Sequence, residues 1–374
     1  MVKEERIREE FQTLVAFDSE SFAEGDIKDY LKDKLTALGL TVHEDDVGTR
    51  LGHDNPKSAG NLYAFLPGST DGDALLFSAH MDTVRPGKNK KAIFDADGTV
   101  HSDGTTVLGA DDVSGIVSIL EALTVIRERH LPHPDIEILF SVAEEPYGKG
   151  AALFDYRKIH AKTAYVLDLT GSIGTAATRA PSILSVEVEI TGKAAHAGFA
   201  PEEGINALSV AADALSDIPT GHIGNDTTVN FGQISGGSGK NIVPASIHIG
   251  GEIRSLRHEA ALAAAQNIRD VFEKTAAKRH AAVQVTVTED IHAYEIADDE
   301  PVVRRFAKAL ASLDYGKPKL ITTFGGSDNN TLNLHGIRGI VVADAMENVH
   351  TVNEYTTLSD LIKTARLTVA LMTL

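Results

Sequence analysis

Short apolar runs that stop on a histidine or an acid restrict this chain to very few folds. Asp73 to His80 reads DALLFSAH, with Asp82 two residues further on, and Asp135 to Glu145 reads DIEILFSVAEE. Thr163 to Asp168 reads TAYVLD, and the run from Gly339, GIVVADAMENVH, gives out at His350. Runs this short and this apolar, bounded by turn residues, predict strands of a sheet covered on both faces. Helix-period segments alternate with them, notably ADDVSGIVSILEALTVIRERH from Ala110, where Val113, Ile116, Val117, Leu120 and Leu123 share one face. The first half is therefore α/β, a sheet between helical layers.

From about Ser182 the texture changes. SILSVEVEIT alternates, GINALSVAADALSDI is helical, TTVNFGQIS and ASIHIGGEIRS read as strands, a long helix starts at His258, and AVQVTVTED alternates again. That β-α-β-β-α-β order is the split pattern of a ferredoxin-like α+β sandwich. After roughly Ala293 the first texture returns. A chain of 374 residues exceeds what one core usually serves. The expected division is a discontinuous domain of residues 1–180 and 292–374, interrupted by a smaller domain of residues 181–291.

Cysteine is absent, so a tightly held metal would need His, Asp or Glu ligands. The formal charge of −18 argues against nucleic acid as a partner. No apolar run approaches the about 20 residues that span a bilayer, and the charged start MVKEERIREEFQTLVAF reads as an amphipathic helix rather than a signal peptide. A cytoplasmic protein without membrane partners is expected.

Ligand sites in open α/β sheets gather outside the carboxyl ends of the strands. His80, Asp82, Glu144, Glu145, Asp168 and His350 all fall where a predicted strand gives out, and Asp111 and Asp112 open a helix. Singly, each has an ordinary explanation. Asp111 and Asp112 suit a helix cap, Glu144 and Glu145 a solvated loop, Asp168 a turn, and His350 is one histidine among 15. Asp95-x-Asp97-Gly98 resembles part of a calcium loop but lacks the remaining ligands, and reads as a hairpin turn. Jointly, imidazole plus carboxylate without thiolate suits Zn, Mn or Co. With His80, Asp111, Glu145, Asp168 and His350 as ligands, three carboxylates and a hydroxide balance two divalent cations, whereas one cation leaves crowded negative charge. Asp82 is placed to orient His80, and Glu144, beside Glu145 on extended chain, to face a bound water as general base.

The stretches SAHMDTV, SDGTTVLGADDVSGI, LFSVAEEPYGKGA, YVLDLTG, GKAAHAGFAPEEGINAL, FGGSDNNTL and NVHTVNEY together resemble the co-catalytic zinc peptidases of the peptidase T, aminoacylase and glutamate carboxypeptidase group, on the peptidase T side. The resemblance covers nearly the whole chain. It implies a three-layer catalytic domain with a mixed, mainly parallel sheet, and a ferredoxin-like insertion that acts as lid and makes a homodimer. It implies two Zn2+ ions: His80 and Asp168 on the first, Glu145 and His350 on the second, Asp111 bridging through a cis Asp111–Asp112 peptide. Asp82 would then orient His80, Glu144 would activate the water between the metals for attack on a peptide carbonyl, and His196 would steady the oxyanion in the partner's site. Asn241, Arg254, Gly326 and Ser327 would face the substrate, with Asp328 either in that loop or capping the next helix. The implied reaction is release of the N-terminal residue from short peptides. Related alternatives are a carboxypeptidase, dipeptidase or N-acyl amino acid hydrolase, and, in another class, a catalytically silent binding protein. The interval from Asp82 to Asp111 is shorter than in the tripeptide aminopeptidase itself, and GGSDNNT differs from its loop.

Overall fold

A computed structural model describes residues 1–52 and 55–374, and its chain contacts divide into two compact units. The first comprises residues 1–179, 295–322 and 327–374; the second comprises 180–294 and 323–326. Among the described residues no helix is long and apolar enough to cross a membrane.

In the first unit, Leu75–His80 and Ile136–Ser141 are buried at every position, as continuous apolar runs between two helical layers should be. Leu75–His80 lies between Ile136–Ser141 and Thr163–Thr170, parallel to both, and Arg338–Met346 continues the parallel order beside Thr163–Thr170. These four strands form the centre of a nine-stranded sheet. Antiparallel additions flank them: Leu62–Leu66 and Thr41–Glu44 on one side, Thr175–Ala180 on the other. Because the central four run the same way, their carboxyl ends emerge on one edge.

Helix Ala110–Arg129 packs on the central strands and beneath helices Glu4–Val15 and Leu358–Thr373. It is buried nearly all round, not on the single face that its spacing predicts. Small residues make that possible: a Cβ on Gly115 would stand 2.6 Å from the Leu167 carbonyl oxygen. Ile93–Phe94 and Thr99–His101 form the expected hairpin, with Gly98 at φ +90° donating its N–H to the Asp95 carbonyl at 3.0 Å.

The second unit is a five-stranded antiparallel sheet with Ser182–Thr191 and Ser246–Ser255 near its centre. Ser182–Thr191 alternates after its first turn, burying Leu184, Val186, Val188 and Ile190 against Val210 of helix Ala207–Ser216 and Phe272 of helix His258–Lys278. Glu187 and Glu189 take the opposite, solvated face. The observed order adds one short strand, Gly221–Ile223, to the β-α-β-β-α-β pattern.

Candidate metal centre

The common edge of the four parallel strands gathers the acids and imidazoles. His80 ends its strand, Asp168 stands two residues before the end of Thr163–Thr170, and His350 follows Arg338–Met346 at φ +62°. Glu144 and Glu145 do not continue their strand, which stops at Ser141. They sit in a turn entered through Ala143 at φ +48°, so the turn rather than strand pleating sets their directions.

Two three-residue donor groups form there. His80, Asp111 and Asp168 offer atoms within 4.8 Å of one another, and so do Asp111, Glu145 and His350. Asp111 belongs to both. Its Oδ1 lies 2.9 Å from His80 Nε2 and its Oδ2 3.2 Å from His350 Nε2, while Glu145 Oε2 is 3.0 Å from the same His350 nitrogen. The Asp111–Asp112 peptide is cis.

The surroundings hold these groups in place. His80 Nδ1 lies 2.9 Å from the Asp82 main-chain oxygen and 3.5 Å from the Asp82 carboxylate, so the carbonyl is the nearer partner of the ring. The Asp82 carboxylate instead accepts the N–H groups of Glu144 at 2.9 Å and Glu145 at 3.2 Å, and the Ser21 hydroxyl at 2.7 Å. Asp112 has two tasks. One oxygen accepts the His80 N–H at 2.9 Å, and the other accepts Gly115 N–H three residues on, the contact of a helix cap. Asp111 and Asp112 both have non-helical dihedrals, so the regular helix starts after them.

Charge makes these groups receptive to cations. Asp111 is held well below the ordinary carboxylate range: burial opposes this, and the hydrogen bonds to His350 and His80 outweigh it. Burial and the neighbouring acids push Asp168, Glu144 and Asp112 well up, Glu144 chiefly by burial and then by Asp168. His350 rises to about 10 through Asp111 and Glu145. Protons thus stand where positive charge is required. His80 sets both ring nitrogens against acceptors, Nδ1 on the Asp82 carbonyl and Nε2 on the Asp111 carboxylate, which only the charged ring can serve, and Glu145 Oε1 is buried with no hydrogen-bond partner. A divalent cation in each group would satisfy both, and the donor set, two imidazoles and three carboxylates without thiolate, fits Zn, Mn or Co.

Several members of this site leave no pattern in the sequence. Glu354, 1 % exposed, accepts the N–H groups of Gly109 at 2.7 Å and Asp111 at 2.9 Å, bracing the shared carboxylate from behind. Glu24 accepts Ala143 N–H at 3.0 Å beneath the glutamate turn. Asp328 accepts the Ser141 hydroxyl and keeps Oδ1 buried and unpartnered. Asp328 was expected either in the substrate loop or as a helix cap; it is the first residue of helix Asp328–Leu334, whose cap is Ser327. Ser327, expected to face substrate, is the N-cap of helix Asp328–Leu334 in a capping box with Asn330, so its hydroxyl already has a structural task.

The remaining expected residues lie in the second unit. His196 and Asn241 are neighbours there: Ala197 N–H donates to the Asn241 carbonyl at 3.0 Å. His196 is exposed, with Phe199 stacked on its ring at 4.3 Å. The N–H groups of Gly198 and Phe199 both point at its Nδ1 from 3.2 Å, which assigns the neutral ring's proton to Nε2. Arg254 is occupied by Glu252, at 2.8 and 3.1 Å, and by the Phe324 carbonyl at 2.8 Å. Gly326 sits against Ile291, where a Cβ would meet the Ile291 side chain at 2.3 Å.

Comparison with known proteins agrees with this architecture. Residues 179–280 match the peptidase dimerisation domain, and residues 61–214 match peptidase family M28. The crystal structure of aminopeptidase PepT from Bacillus cereus is 40% identical, with a TM-score of 0.91 over 99% of this chain and 98% of that one. A tripeptidase from Staphylococcus aureus is 34% identical, with a TM-score of 0.94 over 100% of this chain and 98% of that one. Protein YqjE of Bacillus subtilis is 39% identical over 100% of this chain and 99% of its own length.

Proposed function

Because the chain belongs to the PepT family of aminopeptidases and tripeptidases, we propose that it is a two-metal aminopeptidase releasing the N-terminal residue from short peptides. The observation that carries this reading is Asp111, the one carboxylate common to both donor groups. His80 and Asp168 would hold one cation, Glu145 and His350 the other. Zinc is the proposed metal, and Mn2+ or Co2+ suit the same donors. When bound, such a pair supplies Lewis-acid polarisation of a peptide carbonyl and acidification of a water.

The chain's own residues position groups and carry the proton. Glu144 takes a proton from the attacking water at a carboxylate oxygen and delivers it to the leaving amine nitrogen. Burial beside Asp168, which raises its pKa, makes it a competent acceptor. Asp82 keeps the glutamate turn in register by its two main-chain contacts. The inserted unit mediates a homodimer, and His196 offers Nε2–H to the oxyanion in the partner chain's site. Asn241, Arg254 and Gly326 are the proposed substrate-facing residues of that unit, and Ser327 contributes through the helix it caps.

Elemental analysis of the purified protein, paired with Ala and Leu tripeptides, dipeptides and N-acyl amino acids as substrates, tests the proposal. Two metals per chain and preference for free tripeptides are expected. Cleavage of N-blocked substrates with free tripeptides left intact would refute the aminopeptidase assignment.

A further inference from the structure

The inserted unit carries another group of metal-type donors, made of residues that take no part in the proposed peptidase centre. His258 opens the helix His258–Lys278, Glu289 lies near the end of the strand Ala282–Ile291, and His292 follows that strand. One donor atom from each lies within 4.8 Å of the others. His292 Nδ1 is 2.7 Å from Glu289 Oε1, and His258 Nε2 is 3.8 Å from Glu289 Oε2. The two imidazole rings approach to 4.1 Å between centroids, tilted by 35°.

We propose that His258, Glu289 and His292 bind a divalent transition-metal ion of the zinc class, with water completing the coordination. Two imidazoles and one carboxylate are a recurrent three-ligand zinc set with an open position. An ion pair with His292 alone would satisfy Glu289; the second imidazole, 4.1 Å from the first, brings a further nitrogen donor to the same carboxylate. Ser182 stands where the outer partner of a metal-bound His258 would stand. Fully buried, it accepts Ala293 N–H at 2.8 Å and stands 3.0 Å from His258 Nδ1. In the tautomer whose Nδ1–H is donated to that fixed hydroxyl, the Nε2 lone pair is turned toward Glu289, the orientation that an outer partner gives a metal-bound histidine. Bonds of about 2.0–2.1 Å in a tetrahedron separate donor atoms by roughly 3.4 Å. The observed 2.7 and 3.8 Å bracket that value, so small side-chain rotations suffice. Side-chain exposures of 19, 31 and 41% for His258, His292 and Glu289 leave an approach for the ion and its water.

The test is equilibrium dialysis of the intact protein against chelator-buffered zinc, with zinc counted per chain. Wild type should take up one equivalent more than a His258→Gln, His292→Gln double variant, while peptide hydrolysis is the same in both. Equal uptake at every free zinc concentration would overturn the site. Should the double variant fail to fold, Glu289→Gln, which keeps both rings, is loaded with Co2+ instead. The wild type's ligand-field absorption should then exceed the variant's by the contribution of one ion, and identical spectra would overturn the proposal.

Discussion

Gly150→Ala sets two physical effects of opposite sign against each other. Gly150 lies in the short helix Lys149–Ala152, where alanine is favoured over glycine by about 1 kcal/mol on propensity alone. Yet a Cβ there would stand 1.8 Å from the Val142 carbonyl oxygen and 2.8 Å from Asn61 Oδ1. Both neighbours are fixed. Asn61 accepts Val142 N–H at 3.0 Å and donates to the Gly150 carbonyl at 3.0 Å, tying the helix to the turn that carries Glu144 and Glu145. Reaching an ordinary van der Waals separation requires a main-chain shift of more than about 1 Å. Forced displacement of this kind costs about 1–3 kcal/mol, and two stretched hydrogen bonds add about 1 kcal/mol each. The sum, roughly 3–5 kcal/mol, exceeds the propensity gain of about 1 kcal/mol, so the variant should be destabilised in urea by about 2–4 kcal/mol. A misplacement of about 1 Å at the glutamates should also lower kcat/KM on a tripeptide about 10²-fold. Lys149→Ala, exposed on the same helix, serves as control. If Gly150→Ala were as stable as wild type and as active, the coupling between this helix and the glutamate turn would be wrong.

Glu144→Ala should abolish turnover and retain metal, whereas Glu145→Ala should lose metal from the His350 side; elemental analysis with tripeptide assays checks both, and reversed results would exchange the two roles. His196→Ala should reduce kcat by about 10²–10³ with little change in KM, and an unaltered kcat would remove it from the reaction. After chelator treatment, stability should fall as pH rises from about 5 to about 8. Asp344, fully buried in strand Arg338–Met346, and Glu354, both raised to about 7 chiefly by burial, and Glu24, raised to about 8 in the same way, favour the folded state while protonated, and that contribution is complete below their unfolded pKa values and lost as pH climbs through the folded ones. His350, raised to about 10, acts in the same direction. Calorimetric melting across that range, with recovery on adding zinc, is the measurement; a melting temperature that rises with pH would contradict it.

Residues at the ends of parallel strands were legible because strand direction alone puts them together. His80, Asp168 and His350 need only the period of the runs that precede them. Asp111 and Asp112 illustrate how a bland and a chemical reading coexist: Asp112 caps the helix and Asp111 faces the imidazoles. The glutamate pair was found for the right position and the wrong local geometry, since a positive φ at Ala143 replaces the pleat. Glu354 and Glu24 were missed for a different reason. Each acts by accepting main-chain N–H groups from segments remote in sequence, 245 residues away in the contact of Glu354 with Gly109, and such a contact has no spacing to recognise. Helix Ala110–Arg129 hid its depth because Ser114, Gly115 and Ser118 read as polar or neutral, yet they are what allow it to lie between layers.

The same contacts explain why so many acids can share one edge of the sheet. Asp82, Asp112 and Glu354 spend their carboxylates on main-chain N–H groups, and these contacts fix the loops that carry His80, Asp111, Glu144 and Glu145. Asp111, Glu145 and Asp168 have no such supply; their positive partners in the folded chain are the two imidazoles. The acids therefore divide by what satisfies their oxygens. One set is satisfied by the backbone and can be rigid before any cation arrives, while the other is incomplete without positive charge. A site organised in this way has its geometry set by the first group and its affinity by the second. Exchanging Asp112 for Asn, which still offers one acceptor, should consequently disturb ligand placement far less than exchanging Asp111 for Asn, which removes the charge shared by both donor groups.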